Sequence, residues 1–214
     1  MQVNIKKDGK QNTYNLINSW DDVTLDKWAK LIDSKSKSKT KEALDTISLL
    51  SDIPRKLVKE LSINDVSNIL NRVAALQNKA SSRLKRIIKI DDVEYGFHPD
   101  LSEITLGEYA DIETYIQNGM EKNLAKLMAV LYRPVVEKNG KYYSIERYNG
   151  SGVRMRSEKF KKMKAADVNS SLVFFWTFVK ELSIILQQYL MEQNQMILNK
   201  MQENNLQTSG VGLE

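Results

Sequence analysis

His98 is the only histidine in the chain, and it stands between Phe97 and Pro99 at the end of a strand-like stretch. As a general base it would need a positioned nucleophile and an orienting acid. No G-x-S-x-G or comparable framework accompanies it, so a structural histidine is expected. Two carboxylate pairs, Asp21-Asp22 and Asp91-Asp92, are the candidates for a metal clamp. Adjacent side chains on an extended segment point to opposite sides, and both pairs lie at turns or helix entries, where Asp is at home. Cysteine is absent. That removes disulfides, thiolate metal sites and cysteine nucleophiles, and fits a reducing compartment. Neither G-x-x-x-x-G-K-[ST] nor G-x-G-x-x-G occurs. These residues predict no catalytic set, no metal site and no cofactor: a chain that is not an enzyme.

Charge offers the better lead. The 32 basic residues outnumber 27 acidic ones, for a net +5, a mild excess that permits an acidic partner without demanding one. Three basic runs stand out: Lys35, Lys37, Lys39 and Lys41; then Arg83, Lys85, Arg86 and Lys89; then Arg154, Arg156, Lys159, Lys161, Lys162 and Lys164, broken only by Glu158. Each could contact phosphate or an acidic protein surface, or simply be a solvated face. Aromatic interleaving of the kind that stacks on single strands is thin, with Phe160 alone in the third run. Those six residues of the third run are the sequence's candidate contact for a partner or nucleic acid.

The elements that carry these residues repeat. Val23-Thr24-Leu25-Asp26-Lys27-Trp28-Ala29-Lys30-Leu31-Ile32 aligns without gaps on Ile104-Thr105-Leu106-Gly107-Glu108-Tyr109-Ala110-Asp111-Ile112-Glu113. A strand-like hairpin precedes each segment, with Asp8-Gly9 as one turn and Asp91-Asp92 as the other. Thr24 and Thr105 read as N-caps, and Glu108 completes a capping box with Thr105. Helical patterns follow over 42–50 and 123–132, closed by Pro54 and by Arg133-Pro134. Ser34 to Thr40 reads as a mobile loop and Pro54 to Leu61 as a further helix. Asp65-Val66 with Leu70 matches Asp167-Val168 with Leu172. Trp28 and Tyr109 are expected in the core. The halves differ at a hairpin around Asn139-Gly140, with a flexible tip expected at Asn149 to Gly152.

From 165 to 203 a long helix is expected. Val168, Leu172, Phe175, Val179, Leu182, Leu186 and Tyr189 follow an alternating 4-3 spacing that suits association. Phe174, Phe175, Trp176 and Phe178 cover most of the circumference and call for burial on several sides. Ser171 to Leu190 is apolar but contains Lys180, Glu181, Gln187 and Gln188. A membrane span needs about 20 mostly apolar residues, so no membrane contact is expected. Lys6 and Lys7 near the start precede no apolar run, and no signal peptide is expected.

Ile104 to Asp111, Leu131-Tyr132-Arg133-Pro134, Tyr143-Ser144-Ile145-Glu146-Arg147-Tyr148 and Phe174-Phe175 together resemble small structural and assembly proteins of tailed bacteriophages. The resemblance is to proteins of the head–tail gene region, including those of crAss-like gut phages, and covers about residues 90–180. The first half has Ser51-Asp52-Ile53-Pro54 where the second has Leu-Tyr-Arg-Pro. The resemblance implies a virion protein, present in host cytoplasm during assembly, whose partners are other phage structural proteins and copies of itself.

The expected fold is α+β and mostly helical. A first hairpin-and-helices unit spans 1–82. A related second unit spans 83–214, with an inserted hairpin over 135–160, the long helix over 165–203 and a flexible tail over 204–214. The expected role is a ring subunit in the neck or tail. The alternatives are a tail assembly chaperone absent from the mature virion, and a basic DNA-binding protein packaged with the genome.

Overall fold

Val3 and Ile5 alternate with polar neighbours in Gln2–Lys7 (β1), which pairs antiparallel with Lys10–Asn15 (β2). The Asp8-Gly9 turn lies outside the described residues, which in this computed structural model are 1–7, 10–34, 38–77 and 83–208; Lys35 and Lys37 also fall outside them. Ser19 and Asp22 form a capping box over a 3-10 turn, Trp20–Asp22. Thr24 Oγ1 then accepts from the Lys27 amide at 3.4 Å and starts Leu25–Ser34 (α1). Ser38 caps Lys39–Leu50 (α2), placing Lys39 and Thr40 in a helix rather than in the expected loop. A single turn, Arg55–Val58 (α3), stands where a helix to Leu61 was expected, and Ile63–Gln77 (α4) follows.

Asp91 and Asp92 both adopt positive φ, 47° and 64°, the pair that a two-residue hairpin turn needs and that Asp tolerates. They join Ile87–Ile90 (β3) to Val93–Phe97 (β4). Asp100 caps a second 3-10 turn, Leu101–Glu103, and the Thr105–Glu108 capping box opens Leu106–Gln117 (α5). Met120–Leu131 (α6) leads directly into Tyr132–Asn139 (β5), which turns back as Tyr142–Ile145 (β6). The four strands form one antiparallel sheet in the order β3-β4-β5-β6. Gly150–Phe160 (α7) and Ala165–Thr208 (α8) complete an α+β fold, mostly helical, with two small antiparallel sheets.

Several expectations change. Arg133-Pro134 does not close a helix; both lie in β5, paired with Gly96 and Tyr95. The Pro134 carbonyl accepts from the Glu146 amide, just past the end of β6. The missing Pro N–H therefore faces a side where the ladder has already ended, which is where a strand tolerates proline. Asn149 to Gly152 is no flexible tip: Asn149 Oδ1 accepts from the Ser151 amide and caps α7. Tyr109 is 45% exposed and is not core. The terminal helix runs to Thr208, past residue 203, and 209–214 lie outside the described residues. The side chains of Leu182, Leu186 and Tyr189 lie outside them too.

Contacts group the chain as Met1–Ser171 and Leu172 onward. Backbone bonds from Leu25 to Met163 and from Asp26 to Lys161 cross the boundary expected near residue 82. The core of the first half gathers Leu16, Trp20, Val23, Ile47, Leu50, Ile69 and Val73, and Ala165 joins it. In the second half, Tyr95 meets Phe160 edge-to-face at 5.0 Å and Phe97 meets Tyr132 at 5.2 Å. The Tyr132 hydroxyl donates to Lys85 O at 2.7 Å and lies 2.8 Å from Ser171 Oγ. In the part of α8 from Leu172, Leu172 and Phe175 are buried, whereas Phe174, Trp176, Met191 and Met196 are exposed, so this chain alone does not bury the aromatic group on several sides.

One bonding pattern occurs twice. Ile17 N–H donates to Leu50 O, and 81 positions later His98 N–H donates to Leu131 O. At the same step Leu16 faces Ser51 as Phe97 faces Tyr132, Val23 bonds Trp20 as Ile104 bonds Leu101, and Trp28 bonds Thr24 as Tyr109 bonds Thr105. Beyond Pro54 the step becomes 102. Lys59 bonds Arg55 as Lys161 bonds Ser157, Leu61 bonds Val58 as Met163 bonds Phe160, and Val66 bonds Ser62 as Val168 bonds Lys164. The change of step places 21 additional residues between Arg133 and Ser157.

Gly96 lies beneath the Tyr143 ring. A Cβ there would sit 2.5 Å from Tyr143 Cε2 and 2.8 Å from Ile145 Cγ2, while the Tyr143 hydroxyl is anchored to Phe97 O at 2.6 Å. Gly96→Ala is expected to destabilise the fold by about 1–3 kcal/mol, the usual cost of overpacking. The denaturant midpoint checks this; an unchanged midpoint would mean that Tyr143 swings aside freely.

Candidate functional site

Of the six candidate basic residues, five are exposed and Arg156 is not. Arg156 is buried, with Nη2 donating to Asn149 O at 3.4 Å and Nη1 3.9 Å from Glu146. Lys161 pairs with Glu158 at 2.7 Å, and Lys162 pairs with Asp91 at 2.7 Å across 71 positions of sequence. Arg154, Lys159 and Lys164 are exposed. In the second run, Lys85 pairs with Asp167 at 2.7 Å and Lys89 with Asp92 at 2.9 Å. Much of the basic excess is thus used to fasten turns and helix starts.

The densest polar arrangement lies where α5 begins beside β5. Glu108 is buried by the capping box: its Oε2 accepts from the Thr105 amide at 2.7 Å and from Thr105 Oγ1 at 2.6 Å. Its Oε1 lies 2.6 Å from Arg133 Nη2, an ion pair without hydrogen-bond alignment, and 3.7 Å from His98 Nε2. Glu108, Arg133 and His98 are all buried. The Arg133 guanidinium lies over the Tyr148 ring, 5.7 Å from its centroid, within cation–π range. The Tyr148 hydroxyl donates to Asp111 Oδ2. Burial, helped by that carboxylate, pushes the phenol's pKa well up, so it keeps its proton.

Burial also holds His98 below the usual histidine value; Glu108 opposes this and Arg133 reinforces it. A neutral imidazole is the result at neutral pH. Around these groups opens a cleft of about 620 Å³, lined by His98, Glu103, Glu108, Arg133, Arg147 and Tyr148 among others. Its charged groups hold α5, β5 and the segment after β6 in register. Among the described residues no group of His, Asp and Glu is placed to hold a metal ion. No described helix is long and apolar enough to cross a membrane.

Sequence reasoning found Glu108 as a cap and Arg133 inside a motif, but missed their pairing. A contact across 25 positions has no local signal, although a capping-box Glu directed inward needs a cation when it is buried. No protein-family model, curated protein or solved structure matches this chain.

Removing one partner of a buried ion pair leaves an uncompensated charge, which costs about 3–5 kcal/mol. Arg133→Met should show a loss of that size. Adding Glu108→Gln, which keeps the capping box, should recover much of it; a double variant no better than Arg133→Met would overturn the pairing. For His98 the folded pKa is depressed, so its contribution to stability is present above the unfolded value near 6.5 and is lost as pH falls below it. His98→Gln should therefore flatten the stability profile between about pH 7 and pH 5, read from melting temperatures.

Proposed function

We propose that the chain is a non-enzymatic structural protein of a tailed-phage virion, a subunit of a multi-copy ring in the neck or tail. We also propose that it is built from two related hairpin-and-helices units, with the long C-terminal helix following the second. The observation that carries this reading is the recurrence of the backbone bonds at steps of 81 and then 102 residues. A bonding pattern reproduced over two such stretches is hard to obtain except by repeating one folding unit. A chain built this way presents two like surfaces, which suits head-to-tail packing around a closed axis.

What distinguishes the halves falls in the second. The 21 additional residues, the Glu108–Arg133 pair and the cleft beside it have no counterpart at Lys27 and Asp52 in the first. A surface found on one half alone is the natural place for a different phage structural protein to bind. The motifs from Ile104 to Asp111, Leu131 to Pro134 and Tyr143 to Tyr148 support the phage setting through their resemblance to head–tail proteins.

Quantitative mass spectrometry of purified particles tests the reading. Several copies per particle are expected. Abundance in lysate with absence from particles would replace the reading by the tail assembly chaperone. If the purified chain binds duplex DNA with affinity falling about a thousandfold between roughly 50 and 200 mM salt, the packaged DNA-binding protein takes its place.

A further inference from the structure

The entries to α1 and α5 share one bonding pattern but are covered differently. At α1, the turn between α7 and α8 supplies three backbone bonds. Leu25 N–H donates to Met163 O at 2.7 Å, Asp26 N–H to Lys161 O at 3.1 Å, and Ala165 N–H to Val23 O at 2.7 Å. Thr24 and Lys164 face one another as an antiparallel bridge. Under this cover Leu25 is 1% exposed and Ala165 is 3% exposed. A turn from the second half thus seals a helix entry of the first.

Both parts of that contact occur a second time, unjoined. The step of 81 carries Val23–Asp26 to Ile104–Gly107, and the step of 102, taken backwards, carries Lys161–Ala165 to Lys59–Ile63. The two turns have the same internal bonds: Glu60 to Leu57 and Leu61 to Val58 in one, Lys162 to Lys159 and Met163 to Phe160 in the other. Leu106, the counterpart of buried Leu25, is 83% exposed, and Ile63, the counterpart of buried Ala165, is 89% exposed. Tyr109 extends the open face of α5 by one turn. The amides of Leu106, Gly107 and Ile63 stand in first helical turns, where no intrahelical acceptor exists, and no described residue bonds them.

We propose that Ile104–Gly107 of one chain docks on Lys59–Ile63 of a second copy of this chain, repeating between molecules the contact its two halves make within one. The contact rests on the two-unit reading above. It would direct the Leu106 amide to Leu61 O, the Gly107 amide to Lys59 O and the Ile63 amide to Ile104 O, with Leu106 and Ile63 covered as Leu25 and Ala165 are. Lys56 and Lys59 are exposed beside the turn, with Glu60 exposed within it, and Glu103 and Glu113 are exposed near the start of α5. The two surfaces differ, so the contact is heterologous; each added chain presents the same free ends until a ring closes.

Sedimentation of the full chain tests this. The wild type should associate in a concentration-dependent way, while Leu106→Arg and Ile63→Asp should each weaken association about tenfold or more, or 1.4 kcal/mol, with unchanged melting temperature, since both side chains are exposed. Each variant keeps one intact surface, so a mixture of the two should form one-to-one dimers and stop there. The chain has no cysteine, so Ser62→Cys and Thr105→Cys chains, the counterparts of Lys164 and Thr24, allow trapping. Mixed under oxidation they should yield the 62–105 disulfide, and neither alone should crosslink. A wild type that stays monomeric and untrapped, an association indifferent to both substitutions, or a 105–105 disulfide would overturn the contact. A chain that assembles this way yet is missing from particles would retain the contact and lose the virion reading. One found in particles but failing these measurements would do the reverse.

Discussion

The amide of His98 donates to the carbonyl of Leu131, and the amide of Ile17 to that of Leu50. Each bond fastens the end of a helix pair to the end of a hairpin strand, and the rest of each half is built around it. The 3-10 turn and the two helices must span the distance from the hairpin and return to this point, so their lengths are fixed together. The burial of Leu31 and Ile47, and of Ile112 and Met128, 81 positions on in each case, follows from the same closure. What happens next separates the halves. After Leu50 the chain makes one bridge, Ser51 to Leu16, before Ile53 is buried and Pro54 leads into α3. After Leu131 the corresponding bridge extends into β5, with Pro134 placed where its missing N–H disturbs no ladder. At the step of 81 Pro134 stands where the first half has Ile53, and Pro54 one position further on where the second has Val135; the first strand ends at its single bridge, while the second continues beside β6.

Local signals were legible and distant ones were not. Asp91-Asp92, Asn139-Gly140 and the Thr105–Glu108 capping box were readable because a turn or cap depends on neighbouring residues alone. Helix α7 was missed although Val153, Arg156, Ser157 and Phe160, its buried face, follow helical spacing. Two of the four are polar and Gly150 and Gly152 begin the segment, which hides the helical pattern. The ion pairs of the basic runs were not legible for a related reason. A linear run shows how many charges lie close in sequence, but the partner of Lys162 is Asp91 and that of Lys85 is Asp167. The sequence shows a hairpin inserted over 135–160 but not how it packs. Val153 is core and Tyr143 reaches Phe97 O, so the segment is integral to the sheet it follows.

The part of α8 from Leu172 onward poses a different problem. Its exposed apolar residues include Val173, Ile184, Met191, Met196, Ile197 and Leu198. Three consecutive positions, 196 to 198, span most of a helical turn and cannot share one seam. The 4-3 spacing through Val168, Leu172 and Phe175 is a buried stripe, with Val179 half-buried, so a coiled-coil pattern in the sequence here coincides with burial within a single chain. Periodicity measures how wide an apolar face is; it does not say whether the same chain or another covers it.

The contact at the entry to α1 would be weaker between chains than it is inside one. Burying Leu25 contributes about 1.5–3 kcal/mol, and each of the three backbone bonds made by the amides of Leu25, Asp26 and Ala165 about 0.5–1.5 kcal/mol. Inside one chain that sum is set against little additional entropy, because folding has already brought the halves together. Between chains the same groups must offset about 4–15 kcal/mol of lost translational and rotational freedom. The contact between Leu106 and Ile63 would therefore be weak and reversible as a single pair. It gains strength when ring closure makes the last contact intramolecular and raises the effective concentration of its partners. On that proposal, exposed apolar residues at two helix entries would serve assembly by many weak identical contacts: each is tolerable alone in a free chain, and none would commit a subunit before its neighbours are in place.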